Sequence, residues 1–153
     1  IPFDMLYGPA YKGIPLVSSI VIAFASLGRN VPFAFNRKEK KDHGEGGVII
    51  GTPLKGRVLI VDDVISAGTS VNESVNLILE EGAKPSGIAI SIDREEKGTG
   101  LLSAVEEIKE THHLPVCHLT SLQEIMRYIE HHETYASHIN AMRDYQKLYG
   151  IKA

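Results

Sequence analysis

Val58-Leu59-Ile60-Val61-Asp62-Asp63-Val64-Ile65-Ser66-Ala67-Gly68-Thr69-Ser70 runs from an apolar strand through two acids and a turn of small residues into a helix start. The Arg57 to Val61 segment is almost wholly apolar, as a central parallel strand buried on both faces should be. Upstream, an apolar strand from Phe3 ends near Tyr7-Gly8-Pro9, and Ile14 to Leu27 reads as a largely buried helix closed by Gly28. A short strand follows around Pro32 to Phe35. Downstream, Ser70 and Glu73 form an S-x-x-E capping box, predicting a helix from Val71 through Val75, Ile78 and Leu79 to Gly82, with Pro85 beyond. Ile88 to Ile92 and Val116 to Leu119 read as strands. The pairs Ser103/Glu106 and Ser121/Glu124 open further helices on either side of the second. Tyr135, Ile139, Met142 and Leu148 recur at near-helical spacing and predict an amphipathic tail helix packed on the body. Strands alternating with helices, without internal repeat or linker, predict an α/β fold: one domain over residues 1–153, with a mainly parallel central sheet flanked by helices.

Composition narrows the function. With 153 residues and 43% apolar content the chain can bury one sizeable core without cross-links. A formal charge of -3 and a pI near 6.2 argue against nucleic acid as a partner of the whole surface, so any anion site is local. No apolar run approaches the roughly 18 to 20 residues of a membrane span, and no membrane partner is expected. Cys117 is the single cysteine; its neighbours Val116 and Leu119 predict a buried strand residue, and the cytoplasm is the expected compartment. The chain opens at Ile1, almost directly in a strand, and an N-terminal segment is expected to precede this core.

In open α/β sheets ligands bind at the carboxyl ends of the strands. Ser66, Ala67, Gly68, Thr69 and Ser70 are small enough for a phosphate to approach the backbone, where N–H groups and the positive end of a helix would hold it. Asp62 and Asp63 repel phosphate, so they face something else: ribose hydroxyls, a Mg²⁺ shell or developing positive charge on a sugar. Together these features fit a phosphorylated sugar. An isolated Asp-Asp pair would more often just end a strand; it is the whole string that carries the reading.

Val61 to Ser70 resembles the phosphoribosyl pyrophosphate signature of type I phosphoribosyltransferases, whose fold is Rossmann-like. The resemblance implies that Ser66, Ala67, Gly68, Thr69 and Ser70 hold the 5′-phosphate, that Val64 and Ile65 belong to the same phosphoribosyl pyrophosphate site, and that Asp62 and Asp63 address the ribose hydroxyls. Asn36-Arg37-Lys38-Glu39-Lys40-Lys41-Asp42-His43-Gly44-Glu45-Gly46-Gly47, a polar stretch with hardly any apolar anchor, reads as a mobile loop, and the stretch from Phe35 to Gly47 resembles the catalytic loop of the orotate phosphoribosyltransferases in particular. Its Arg37, Lys38, Lys41 and His43 could neutralise a departing pyrophosphate. The resemblance implies catalytic roles for Lys41, His43, Asp62 and Asp63, and a homodimer in which loop 36–47 is shared between subunits. It further assigns Tyr11 and Lys12, after the first strand, to the pyrophosphate, and Ser66 and Arg94 to orotate, a planar guanidinium suiting a carboxylate or ring carbonyl. Mg²⁺ is the implied cofactor, held mainly by substrate oxygens and water with no direct protein side-chain ligand. The implied reaction, in pyrimidine (UMP) biosynthesis, is transfer of the phosphoribosyl group to orotate, giving orotidine 5′-monophosphate and pyrophosphate.

Two other patterns carry no site. Gly51-Thr52-Pro53-Leu54-Lys55-Gly56-Arg57 approaches a nucleotide-binding glycine loop but has Arg57 where lysine is needed and precedes a strand. His112, His113, His118, His131 and His132 lack a zinc-ligand pattern and read as surface residues, with no caged transition metal expected.

Overall fold

The computed structural model describes residues 1–41 and 47–151, and their side chains outside 39–41. Six strands form one sheet: β1 (Met5–Gly8), β2 (Phe33–Lys41), β3 (Gly47–Gly51), β4 (Arg57–Asp62), β5 (Lys84–Asp93) and β6 (Val116–Ser121). Their order is β3-β2-β1-β4-β5-β6. All neighbours pair in parallel except β2 with β3, which is antiparallel. The helices are α1 (Gly13–Ser26), α2 (Thr69–Glu80), α3 (Ala104–His112), α4 (Leu122–Glu130) and, after a 3₁₀ segment at Glu133–His138, α5 (Ile139–Tyr149). This is the α/β architecture expected from the alternation of segments.

Strand alternation sorts the apolar residues into two cores. Met5 and Tyr7 of β1 and Val58 and Ile60 of β4 face Val71, Val75 and Ile78 of α2 and Val105 and Ile108 of α3. Leu6, Leu59 and Val61 point the other way, against Val17 of α1. Both faces of the centre are thus covered, which is why β4 reads as an unbroken apolar run. No described helix is long and apolar enough to cross a membrane.

Several local expectations need correcting. The segment 36–47 is not loop throughout: β2 continues to Lys41, and Gly47–Gly51 forms β3, whose Ile49 and Ile50 pair with Asn36 and Phe35. Residues 42–46 lie outside the described residues. The Ser70 capping box does not form. Gly68, at φ 72, is the residue before α2, and the Ser70 hydroxyl is used elsewhere. By contrast both later boxes form, Ser103 with Glu106 and Ser121 with Glu124. Helix α1 is one-sided instead of largely buried, with only Gly13 and Val17 inside, since the sheet touches it along a single stripe. Pro85 lies in β5, which starts well before Ile88. Cys117 is exposed, not buried, because β6 is the edge strand and its neighbours His118 and Leu119 also face outward. The tail is split into two segments without buried residues, and hydrogen bonds from Arg143 to Glu130 and from Tyr145 to Glu96 tie it to the body.

Candidate active site

The connections out of β1 and β4 diverge: β1 leads to β2 on one side and β4 to β5 on the other. Where neighbouring parallel strands part in this way their carboxyl ends leave a crevice, the habitual ligand position of open α/β sheets. Of the residues singled out in the sequence, Lys12, Asp62, Asp63 and the Ser66 to Ser70 turn meet there. After β1 the chain turns through Pro9 to Lys12, and Lys12 Nζ donates to Asp63 Oδ2 beyond β4 at 2.6 Å, across 51 residues of chain.

The alternation that divides the two cores also divides the paired acids. Asp62 is 8% exposed and lies on the α2 side, where its Oδ1 accepts from the Asp63 N–H at 2.9 Å and its Oδ2 from the Ser70 hydroxyl at 3.2 Å. Burial pushes its carboxyl above the ordinary range, the hydrogen bonds from the Asp63 N–H and the Ser70 hydroxyl do not cancel that, and the negative charge of Asp63 adds to it. Asp63 faces Lys12. Partial burial would raise it too, but the bond from Lys12, the Val64 N–H and the lysine charge outweigh this and hold it below the usual range. The two neighbours therefore differ in character: Asp63 is firmly an anion, whereas Asp62 holds its proton more readily.

The following turn is anchored and open at once. Ile65 is buried in the core, Gly68 is buried against Ile108, and Ser66, Ala67 and Thr69 are exposed around a cavity of about 280 Å³. The left-handed Gly68 swings the chain into α2, whose first free N–H groups border this cavity. Main-chain bonds from Ser91 and Ile92 to the Asp63 carbonyl, 2.9 and 3.1 Å, fix the acids to β5.

A second cavity, about 400 Å³, lies between the ends of β1, β2 and α2, with Tyr7, Asn36, Arg37, Lys38, Ser70 and Glu73 among its walls. Tyr11 is 67% exposed, and the Lys38 ammonium stands 5.1 Å from its ring centre. Arg37 is half-buried and its Nε has no partner among the described residues. Lys41 ends β2, and its side chain, like the whole of His43, lies outside what is described. Arg94 follows β5, two strands over from the pyrophosphate turn, and donates through Nη2 to Glu96 at 2.7 Å. Because β5 runs parallel to β4, Arg94 lies beyond the same carboxyl ends of the strands as Asp62 and Asp63, with its hydrogen bond going to Glu96.

Some participants escaped the sequence reading. Asn36 Oδ1 accepts from the Ala10 N–H at 2.8 Å, tying the end of β2 to the turn after β1. Tyr7 and Ser74 form the buried floor beneath Asp62, with Ser74 donating to the Ser70 carbonyl at 2.6 Å; burial first of all pushes the Tyr7 phenol far up, so it stays neutral. The β-branched run Val48-Ile49-Ile50 between glycines was a signal for β3. Nothing local signals the role of Asn36.

The phosphoribosyl transferase domain family matches residues 2–109, a span that takes in the whole crevice. An orotate phosphoribosyltransferase of Chromobacterium violaceum is 56% identical over 151 residues, 99% of this chain and 71% of that protein. One from Nitrosospira multiformis is 58% identical over 152 residues, 99% of this chain and 67% of that protein. Among solved structures, the orotate phosphoribosyltransferase of Francisella tularensis superposes with a TM-score of 0.81 at 37% identity, covering 98% of this chain and 72% of that one. With this crevice, this sheet order and relatives so similar over nearly all of its length, the chain belongs to the orotate phosphoribosyltransferase family.

Proposed function

We propose that this chain transfers the 5-phosphoribosyl group from phosphoribosyl pyrophosphate to orotate at the crevice between β1 and β4, yielding orotidine 5′-monophosphate and pyrophosphate. The observation that carries the assignment of the site is the Lys12 to Asp63 bond of 2.6 Å across the strand divergence, beside the Ser66 to Ser70 turn. It supports a reading in which a cation for the pyrophosphate stands next to a carboxylate for the ribose and a phosphate cradle at a helix start.

In this reading Val64 to Ser70 hold the 5′-phosphate with main-chain N–H groups and the hydroxyls of Ser66, Thr69 and Ser70. Asp63, held as an anion, accepts from a ribose hydroxyl once Lys12 turns to the pyrophosphate. Asp62, buried and bonded to Ser70, keeps the turn in register and lies near the positive charge that grows on the sugar as the C1–oxygen bond breaks. A ring nitrogen of orotate, its N–H proton lost to water, forms the new bond to C1, and the pair of the broken C1–oxygen bond departs with pyrophosphate. Tyr11, Lys12, Arg37, Lys38, Lys41 and His43 are assigned to that leaving group, His43 as a proton donor. Ser66 and Arg94 are assigned to orotate.

Asp63, held as an anion, would accept a hydrogen bond from a water of the Mg²⁺ shell, whose direct ligands in this reading are substrate oxygens and water. When bound, Mg²⁺ would neutralise charge on the pyrophosphate. The β2/β3 pair stands at the sheet edge, and we assign Lys41 and His43 to the site of a second copy in a homodimer. A charged, phosphorylated substrate and one unpaired cysteine favour the cytoplasm.

The test is the fall in orotate absorbance with phosphoribosyl pyrophosphate and Mg²⁺, run in parallel with adenine, hypoxanthine and uracil. Turnover of orotate alone, reduced at least about a hundredfold by Lys41→Ala, is the expected result. Turnover of another base in preference would overturn the substrate assignment.

A further inference from the structure

We propose that Glu96 and Tyr145 are positioning residues that set the Arg94 guanidinium for substrate recognition, so that the C-terminal helix takes part in orotate binding. The inference rests on the reading of Arg94 as the orotate contact.

β5 ends at Asp93, and the chain leaves it through Glu95, a non-glycine residue at φ 54 whose N–H donates to Asp93 Oδ1 at 2.9 Å. That turn sets Arg94 and Glu96 side by side, Arg94 Nη2 donating to Glu96 Oε2 at 2.7 Å. The other carboxylate oxygen, Oε1, accepts from the Tyr145 hydroxyl of α5. Each oxygen of Glu96 is thus committed to one donor. The Glu96 side chain is only 15% exposed, against 33% for Arg94, so the pair is screened by water less than a surface ion pair would be.

The backbone makes Glu96 a fixed point. Its carbonyl accepts from the Ala104 N–H at the start of α3 (3.0 Å), the next N–H, of Lys97, donates to the Tyr149 carbonyl (2.8 Å), and Glu96 itself bridges to Gly150. Both α3 and the end of α5 therefore hold it. Arg94, by contrast, spends one donor on Glu96, while its buried Nε–H has no partner among the described residues. A guanidinium held from one side with donors unspent is prepared to receive a planar acceptor pair, and its aim depends on what holds it. The Tyr145 phenol, pushed up by its bond to Glu96, stays a donor at neutral pH. Helix α5 has no buried residue, and this hydrogen bond joins the Lys97 to Tyr149 main-chain bond in tying it to the segment after β5.

The experiment is steady-state kinetics on the full chain, varying orotate and phosphoribosyl pyrophosphate separately, with thermal unfolding alongside. The variants are Arg94→Ala, Glu96→Gln, Tyr145→Phe and the double variant Arg94→Ala/Tyr145→Phe. Tyr145→Phe is expected to raise the orotate KM about fivefold and Glu96→Gln about tenfold or more. The KM for phosphoribosyl pyrophosphate and kcat should stay within about twofold, the mark of lost substrate binding rather than lost catalysis. In the Arg94→Ala background Tyr145→Phe should add nothing, because the two act as one unit. Equal changes in both KM values, a loss of Tm alone, or an undiminished effect of Tyr145→Phe in that background would overturn the positioning role. If Arg94→Ala raises the orotate KM and Tyr145→Phe does not, the positioning fails while the role of Arg94 stands. If Arg94→Ala itself leaves the orotate KM unchanged, the reading of Arg94 fails and the inference with it.

Discussion

Gly68→Ala probes the turn before α2. Gly68 has φ 72, a conformation that costs a residue with a Cβ about 1–2 kcal/mol. A Cβ there would also meet Ile108 Cδ1 at 2.8 Å, and Ile108 is 4% exposed in the core, so its side chain has to yield at a further cost of about 1–3 kcal/mol. Gly82, beyond the other end of α2, is the control: its φ is 76 and nothing lies within 4 Å of its added Cβ. Gly82→Ala should therefore cost the backbone part alone, about 1 kcal/mol, and Gly68→Ala about 3 kcal/mol. In a chain of this size these are drops in Tm of about 2–4 °C and about 6–12 °C. Because the turn is assigned to the 5′-phosphate, Gly68→Ala should also raise the KM for phosphoribosyl pyrophosphate about tenfold, the worth of one charge-assisted hydrogen bond, and Gly82→Ala should not. Thermal unfolding and initial rates on the same preparations read both. Equal Tm losses would refute the packing of Gly68 on Ile108, and an unmoved KM would refute the phosphate cradle.

Asp62→Asn should lower activity yet flatten the pH dependence of stability. The folded-state pKa of Asp62 is raised by burial, so the folded form holds this proton more tightly, and its contribution declines as pH rises from the ordinary carboxylate value through the raised one. Urea unfolding from about pH 4 upward should show a shallower decline in the variant; an identical slope would refute the burial argument. Asp4 behaves oppositely: its carboxyl is lowered to about 2 by hydrogen bonds from Arg57, giving stability present above the unfolded value and lost as pH falls towards that figure. Asp4→Asn should remove that acid-side loss, as circular dichroism over the same acid range would show. Lys12→Met should cut kcat/KM about a hundredfold while altering stability by less than about 1 kcal/mol, since the lysine side chain of the pair is 73% exposed.

What the chain revealed in advance follows the distance between interacting residues. The Asp62 to Ser70 element was legible because its strand, acids, small residues and helix are consecutive. The capping boxes at Ser103 and Ser121 were legible for the same reason. Ser70 misled because its hydroxyl had a competing partner in Asp62, eight residues back, and a left-handed Gly68 intervened. Lys38 to Lys41 look like loop because charge hides a strand whose partner lies beyond residue 46. Cys117 looked buried because the apolar character of β6 does not say that it ends up at the sheet edge. The pairing of Lys12 with Asp63, and of Glu96 with Tyr145 across 49 residues, exists only once the topology is set.

Calorimetric titration of phosphoribosyl pyrophosphate with Mg²⁺ tests directly whether the one crevice binds the phosphorylated sugar. The chain should bind saturably, and Asp62→Asn/Asp63→Asn should weaken binding at least about tenfold, as expected when charge-assisted bonds to the ribose are lost. Equal affinity in the double variant, or no binding to the unaltered chain, would contradict the site described.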